Sequence, residues 1–310
     1  MSKNADSRTP QAAVVVLNYN GHRDTLECVR SLEQLHYPRT QIVVVDNGST
    51  DNSATMLRAA YPQVAIIETG ANLGYAAGNN VGLRYALDHG ADYILVLNND
   101  TVVAPDLLDA LVTACAADPT IGVAGPKIYY HDQPKVIWSA GGCIDWQRGL
   151  TSMRGLDRVD RGEFDTATDV DFVTGCALFA RRSALEQAGL IDERFGMYYE
   201  EVEWCVRIAR RGWRIVYAPG GRLWHKIRPG VQDQSPRITY YMTRNRLLFL
   251  RLTHAPLRAW LHAVFLQDLR TWLSWRVRRR WHGRALQRTA LCSAWRDFVR
   301  SRFGMVTWGK

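Results

Sequence analysis

Three short apolar runs, residues 12–17, 42–45 and 93–97, each end abruptly in a polar turn, and this alternation limits the fold more than any other feature of the chain. The turns read Asn18-Tyr19-Asn20-Gly21, Asp46-Asn47-Gly48-Ser49-Thr50-Asp51 and Asn98-Asn99-Asp100-Thr101. Short β-branched runs bounded by such turns read as buried parallel strands. A helical pattern follows the first turn (Thr25, Leu26, Val29, Leu32, Leu35), and Asp51 or Asn52 can cap a second helix. Strands alternating with helices predict an α/β fold, a mostly parallel central sheet flanked by helices. Ligands bind such sheets beyond the carboxyl ends of the strands. Asn18, Asp46 and Asp100 are therefore expected at one edge, where they can accept from a nucleobase or a ribose hydroxyl.

Asp100 has two readings on sequence alone. Mg²⁺ and Mn²⁺ take oxygen ligands and bind through one or two carboxylates plus substrate phosphates, a task that suits a lone acid at a strand's carboxyl end. The same residues could cap a following helix. With one glycine, the first turn argues against a dinucleotide-binding domain and against a sugar-phosphate nucleotidyltransferase, both of which place a Gly-rich loop there. The small residues come later, from Gly70 to Gly82, before a helix ending near Asp88. They allow either close backbone approach to a ligand or tight helix packing.

Leu17-Asn18-Tyr19-Asn20-Gly21, Val45-Asp46-Asn47-Gly48-Ser49-Thr50-Asp51, Asn72-Leu73-Gly74-Tyr75-Ala76-Ala77-Gly78-Asn79-Asn80 and Leu97-Asn98-Asn99-Asp100 resemble, in order and spacing, the nucleotide-binding half of the family-two glycosyltransferases. That half has the GT-A fold. The chain is most similar to the bacterial rhamnosyltransferase-like branch, whose metal motif often reads Asn-Asn-Asp in place of Asp-X-Asp. The resemblance covers about residues 12–250. It implies that Asp46 contacts the base or ribose and that Asp100 binds Mg²⁺ or Mn²⁺ on the donor diphosphate. Asn18, Asn20, Asn72, Gly74, Asn79, Asn98 and Asn99 would complete the nucleotide site.

In the second half, residues 172–180 read as a strand with a small-residue turn, and a helix begins at Arg181-Arg182-Ser183. The resemblance places Thr174, Gly175 and Cys176 in a donor and acceptor pocket with Tyr199 and Trp204; a strand bending at a glycine is the plain alternative. Glu200, Glu201 and Glu203 then stand among aromatics at the start of a helix running to Arg211, where the macrodipole also favours acids. Inverting glycosyl transfer needs one carboxylate to deprotonate the acceptor hydroxyl, while a metal neutralises the leaving diphosphate. A glycosidase needs a carboxylate pair flanking the bond. The family motif here is Glu-Asp with the Asp as base, so Glu201 takes that position and Glu200 precedes it. The extra methylene moves the carboxylate by roughly 1.5 Å, which keeps Glu200 and Glu203 open as alternatives.

A strand over residues 213–218 precedes Pro219-Gly220-Gly221-Arg222-Leu223-Trp224-His225-Lys226. A lone histidine after an apolar run is ordinarily structural, but the resemblance makes His225 a ligand of the metal or diphosphate. Lys226 and Arg228 can hold phosphate oxygens once the 227–235 loop closes, or remain solvated surface cations.

At 310 residues the chain has room for one large α/β domain and a helical appendage. The expected division is a disordered 1–11, a GT-A domain over 12–255 with halves at 12–125 and 126–255, and a tail over 256–310. Six scattered cysteines without zinc spacing fit a reducing cytosol, and neither a signal-peptide core nor a bilayer-length apolar run is found. Residues 256–310 carry 12 Lys or Arg against 2 Asp, so the basicity of a chain with net charge +9 lies in the tail. Six of the 11 tryptophans also lie there, and Leu257, Trp260, Leu261, Val264, Phe265, Leu269, Trp272 and Leu273 follow helical spacing. This amphipathic extension could pack on its own domain or on another subunit of a homo-oligomer, or lie on an anionic leaflet. Nucleic acid is disfavoured, since no nucleic-acid module is recognised.

The expected function is metal-dependent, inverting transfer of a sugar, with L-rhamnose as the leading donor sugar. It would pass from a dTDP- or UDP-sugar to a glycan or polyprenyl-diphosphate-linked acceptor in bacterial surface-polysaccharide synthesis, at the inner face of the cytoplasmic membrane. The rivals are a nucleotidyltransferase and a non-catalytic membrane-associated sugar-nucleotide sensor.

Overall fold

The computed structural model describes residues 9–227 and 235–306. The first half runs β1 (Ala12–Asn18), α1 (His22–Leu32), β2 (Thr40–Asp46), α2 (Ser53–Ala60), β3 (Ala65–Glu68), α3 (Gly74–Asp88) and β4 (Tyr93–Asn98). Its strands pair in parallel in the order β3-β2-β1-β4. Successive side chains face opposite sides of the sheet. Ala13, Val15, Val45, Ile94 and Val96 join the core that includes Ala76 and Leu83 of α3, while Val14, Val16, Val44, Leu95 and Leu97 join the core that includes Cys28, Val29 and Leu32 of α1. With both faces covered, the strands are apolar throughout instead of alternating. The helix α3 lies so close to β1 that a Cβ on Gly82 would come within 2.3 Å of Val15 Cγ1. Packing therefore accounts for the later part of the small-residue stretch.

The second half runs β5 (Thr101–Val103), α4 (Leu107–Ala117), β6 (Ile121–Tyr130), β7 (Val136–Ser139), β8 (Gly142–Asp145), β9 (Leu150–Met153), β10 (Arg158–Val159), β11 (Thr168–Asp169), β12 (Ala177–Arg181), α5 (Arg182–Ala188), α6 (Glu200–Ala209) and β13 (Arg214–His225). Here the sheet is mixed: β12 lies antiparallel between β4 and β6, β7 is antiparallel to β6, and β13 runs parallel along β6. No helix intervenes between β6 and β12 to return the chain to its starting end, so β12 enters antiparallel. Pro219-Gly220-Gly221 does not end its strand. It lies within a register shift between Tyr217 and Arg222, after which β13 continues to His225, with residues 223–225 antiparallel to β5.

The chain then forms α7 (Pro236–Leu252), α8 (Leu257–Leu261), a π-helical segment (His262–Leu269), α9 (Arg270–Val277), a 3₁₀ turn (Arg279–Arg284) and α10 (Ala285–Val299). The expected boundary at residue 255 does not separate an appendage from a domain. Ala290 and Ala294 of α10 are buried against Tyr240 and Tyr241 of α7. Asp268 pairs with Arg246 and accepts from Trp295 Nε1 at 2.9 Å. The expected disorder through residue 11 also fails for residues 9–11: the Gln11 N–H donates to Asp92 Oδ2 at 2.7 Å, and Tyr37 donates to the Pro10 carbonyl at 2.7 Å. Among the described residues, no helix is long and apolar enough to cross a membrane.

Candidate active site

Short polar side chains knit together the carboxyl ends of β1, β2 and β4. Asn18 Nδ2 donates to Asp46 Oδ1 at 2.7 Å and to Ser49 Oγ at 3.1 Å, and Asp46 Oδ2 accepts from the Ser49 N–H at 3.1 Å. The Thr25 hydroxyl donates to Asn18 Oδ1 at 2.8 Å and accepts from Asn99 Nδ2 at 2.9 Å, joining the first turn to the third. Asn20 adopts a left-handed backbone (φ 53°), and its Oδ1 accepts from the Thr50 N–H. Asn47 fixes the start of α3: its Oδ1 accepts from the Leu73 N–H, and its Nδ2 donates to the Gly74 carbonyl and to Asn72 Oδ1. Asn20 is exposed, and Asn72, Asn98 and Asn99 are half-buried.

The turn holding Asn99 and Asp100 connects β4 to β5 and not to a helix, so the capping reading of Asp100 falls away. Because His225 stands opposite Thr101 in the β13–β5 pairing, its Nε2 lies 3.1 Å from Asp100 Oδ1. Burial works against the Asp100 carboxylate, but the hydrogen bond and charge of His225 hold it below its usual range. Burial likewise disfavours the His225 cation, yet the Cys176 sulfur and the Asp100 carboxylate outweigh it and push the imidazole up to about 10.

The residues present fit a divalent cation. Two neighbouring ligands of a six-coordinate cation at about 2.1 Å lie roughly 3 Å apart, close to the observed carboxylate–imidazole spacing. No three His, Cys, Asp or Glu side chains converge among the described residues, so the other positions would fall to phosphate and water.

Glu200 and Glu201 open α6, and Oε2 of each is buried with no hydrogen-bond partner among the described residues. Burial pushes both carboxyls up. Glu200 rises further because the Glu201 charge adds to burial, whereas backbone N–H groups at the start of α6 and at Gly175 restrain Glu201. The two carboxyls stand side by side, so their protons leave in steps that belong to the pair. The Tyr75 hydroxyl donates to the Gly175 carbonyl at 2.6 Å, near enough to feel the carboxylates of both Glu200–Glu201 and Asp100. Burial and the charges of Glu200, Glu201 and Asp100 hold the phenol well up. Glu203 is occupied elsewhere, since Arg207 Nε donates to both its oxygens at 2.9 and 3.2 Å.

Several expected site residues stand in other surroundings. Asn18 is fully buried behind Ser49 and serves as floor. Asn79 is also fully buried, its amide donating to the Tyr75 carbonyl within α3. Trp204 is a core residue whose indole donates to the Gly189 carbonyl at 2.8 Å. Lys226 pairs with Asp24 and Glu27 of α1, at 2.8 and 2.7 Å. Thr174 and Cys176 are buried in the turn beneath His225, Gly175 is half-buried, and Tyr199 packs its ring 5.7 Å from that of Phe249. Arg228 lies outside the described residues. Sequence reasoning overlooked Thr25, Asn47 and Tyr75; the last two stand inside the motifs it used, while Thr25 was legible only as a helix-face residue.

The family model of Glycosyl transferase family 2 matches residues 13–189, more than half of the chain. The N-acetylglucosaminyl-diphospho-decaprenol L-rhamnosyltransferase of Mycobacterium tuberculosis is 29% identical over 272 residues, covering 79% of this chain and 87% of that one. The dTDP-rhamnosyl transferase RfbF of Shigella flexneri is 27% identical over 252 residues, covering 78% and 81%. Mannosyltransferase PcManGT from Pyrobaculum calidifontis, solved with GDP-Man and Mn²⁺, superposes with a TM-score of 0.60 at 16% identity over 96% of this chain and 89% of that one. GalNAc-T7, solved with UDP, GalNAc and Mn²⁺, gives 0.61 at 17% identity over 79% of this chain and 48% of the other. These structures share the GT-A fold. On the motif edge, the fold and the family match together, the chain is a glycosyltransferase belonging to glycosyl transferase family 2.

Proposed function

We propose that the protein transfers a sugar with inversion from a nucleoside-diphosphate donor to a hydroxyl of a glycan or polyprenyl-diphosphate-linked acceptor in bacterial surface-polysaccharide synthesis. dTDP-L-rhamnose is the favoured donor, because two relatives that span most of this chain are named for rhamnosyl transfer. The observations that carry the reading are the Asp100–His225 pair beyond the end of β4 and the Glu200 and Glu201 carboxylates at the start of α6, each with a buried oxygen that has no hydrogen-bond partner among the described residues. Asp46 and the surrounding amides receive the nucleoside at the strand edge. Asp100 and His225 would hold Mn²⁺ or Mg²⁺, and the cation would supply positive charge against the leaving diphosphate; an imidazole ligand favours Mn²⁺. Glu201 takes the proton of the acceptor hydroxyl as it attacks the anomeric carbon. Glu200, buried beside it and likewise raised by burial, makes a second negative charge there costly.

The acceptor class agrees with the surface of the C-terminal helices. Leu257, Phe265, Leu273 and Val277 are 71, 53, 45 and 72% exposed, in helices flanked by Arg270, Arg276, Arg278 and Arg280. An apolar helix face bordered by arginine suits an anionic leaflet, and we place the enzyme peripherally at the inner face of the cytoplasmic membrane.

The test is a panel of nucleotide sugars with Mn²⁺, read first as thermal stabilisation and then as nucleoside diphosphate release with a polyprenyl-diphospho-N-acetylglucosamine acceptor. A ligand at 100 times its Kd stabilises by about 2.7 kcal/mol, well within detection. dTDP-L-rhamnose should stabilise the chain and release dTDP only with acceptor present. Stabilisation without release by any donor would identify a sensor, and preference for another sugar would remove rhamnose.

A further inference from the structure

Tyr198 and Tyr199 have φ of 69° and 70°, a left-handed pair that aromatic residues rarely adopt, directly before Glu200 and Glu201. This pair sets the direction in which α6 leaves its loop, and so where the two first-turn carboxylates stand. One side chain gathers the loop. Asn245 of α7 is fully buried, and its Nδ2 lies 2.8 Å from the Phe195 carbonyl, 2.6 Å from that of Met197 and 2.8 Å from that of Tyr198.

Arg244 supports this amide. Its Nε donates to Asn245 Oδ1 at 2.9 Å, which fixes which end of the amide faces the loop. The same guanidinium, also fully buried, donates through Nη2 to the Phe195 carbonyl and through Nη1 to the Gly304 carbonyl, each at 2.8 Å. The Gly304 N–H donates to the Arg194 carbonyl at 2.6 Å, so the chain after α10 closes on this loop. On its other side, the Gly196 carbonyl accepts from the Ala76 N–H at 3.1 Å, tying the loop to the start of α3. An apolar residue at 245 could fill the same space, but only a multiple donor can satisfy carbonyls converging on one point.

We propose that Asn245 is the positioning residue for the Glu200–Glu201 pair, held in orientation by Arg244. The proposal rests on the catalytic reading of those carboxylates. Asn245→Ala and the milder Asn245→Ser, in the full chain, test it through turnover, calorimetric donor affinity with Mn²⁺ and thermal unfolding. Loosening a reacting group by about an ångström costs on the order of 10²-fold in rate. The expected result is therefore a loss of kcat of about 10- to 100-fold with donor Kd changed less than about twofold. Unchanged kcat overturns the proposal, as does a proportional fall of kcat and donor binding that tracks loss of folded protein. An Asn245→Ser chain that does not fold makes Asn245 a folding residue and overturns it too. Glu200→Gln and Glu201→Gln run beside them: if both stay active, the carboxylate reading fails. If one is inactive while the Asn245 variants are active, only the positioning role fails.

Discussion

Asp100 and His225 stand 125 positions apart and meet only because β13 continues through its bulge to lie against β5. Asp100 is half-buried in a turn, so Asp100→Ala should leave the fold intact and abolish metal-dependent donor binding. Donor calorimetry with the same response to Mn²⁺ before and after the substitution would remove Asp100 from the metal. Glu201→Gln keeps size while removing the basic lone pair, so turnover should fall by about 10² to 10⁴ with donor affinity retained. If Glu200→Gln is the inactive variant instead, the base is Glu200. The pair also has a signature in stability. Burial raises both carboxyls, so the folded pair holds on to protons that the unfolded chain releases near 4.5, and stability falls as pH rises from there. Glu200→Gln should raise the neutral-pH Tm by a few degrees and flatten that fall, as read by thermal unfolding from pH 5 to 8. Among these residues the sequence made legible those in local turns. Asn245, whose partners lie 47 to 50 positions away, carried no local signal.

At the scale of elements, the parallel strands were readable because burial on both faces leaves an unbroken apolar run, as in Ala12-Ala13-Val14-Val15-Val16. The antiparallel entry of β12 was not, since strand direction leaves no mark on a five-residue apolar segment. The bulge in β13 was misread because Pro-Gly-Gly is ordinarily a strand end, and here the β6 pairing carries the strand past it. The small-residue stretch supported two readings, and the structure divides it: Gly74 lies against the site-facing Asn47 and Asn72, while Gly82 lies against Val15 and Val45. Gly82→Ala is therefore an overpacking change. It should cost about 1–3 kcal/mol despite a helix-propensity gain of about 1 kcal/mol, as a lowered urea midpoint with unchanged slope. A stabilised variant would mean that α3 can move off β1.

Over the whole molecule, the basic tail has an inward surface that packs on α7 and an outward surface that stays exposed. Its inward side is structural: Ala290 and Ala294 bury against α7, and the Gly304 carbonyl completes the shell of Arg244. A chain ending near residue 254 would lose this packing, so truncation cannot isolate a membrane role. The outward side is separable. In the π-helical segment, where i→i+5 bonding shifts the helical phase, Ala263 and Asp268 face in while Phe265, Leu266 and Leu269 stay exposed. Substitution at exposed positions ordinarily leaves folding intact, so Phe265→Glu with Leu269→Glu isolates the surface. The full chain should sediment with vesicles containing phosphatidylglycerol at low salt. Binding should weaken as salt rises, because each surface cation contributes about 1 kcal/mol only within a Debye length. The double variant should lose most of that binding while keeping Tm and transfer to a water-soluble acceptor. If the unaltered chain ignores anionic vesicles and instead sediments as a dimer that the double variant dissolves, the apolar face is a contact between copies of the enzyme, and the membrane placement is withdrawn.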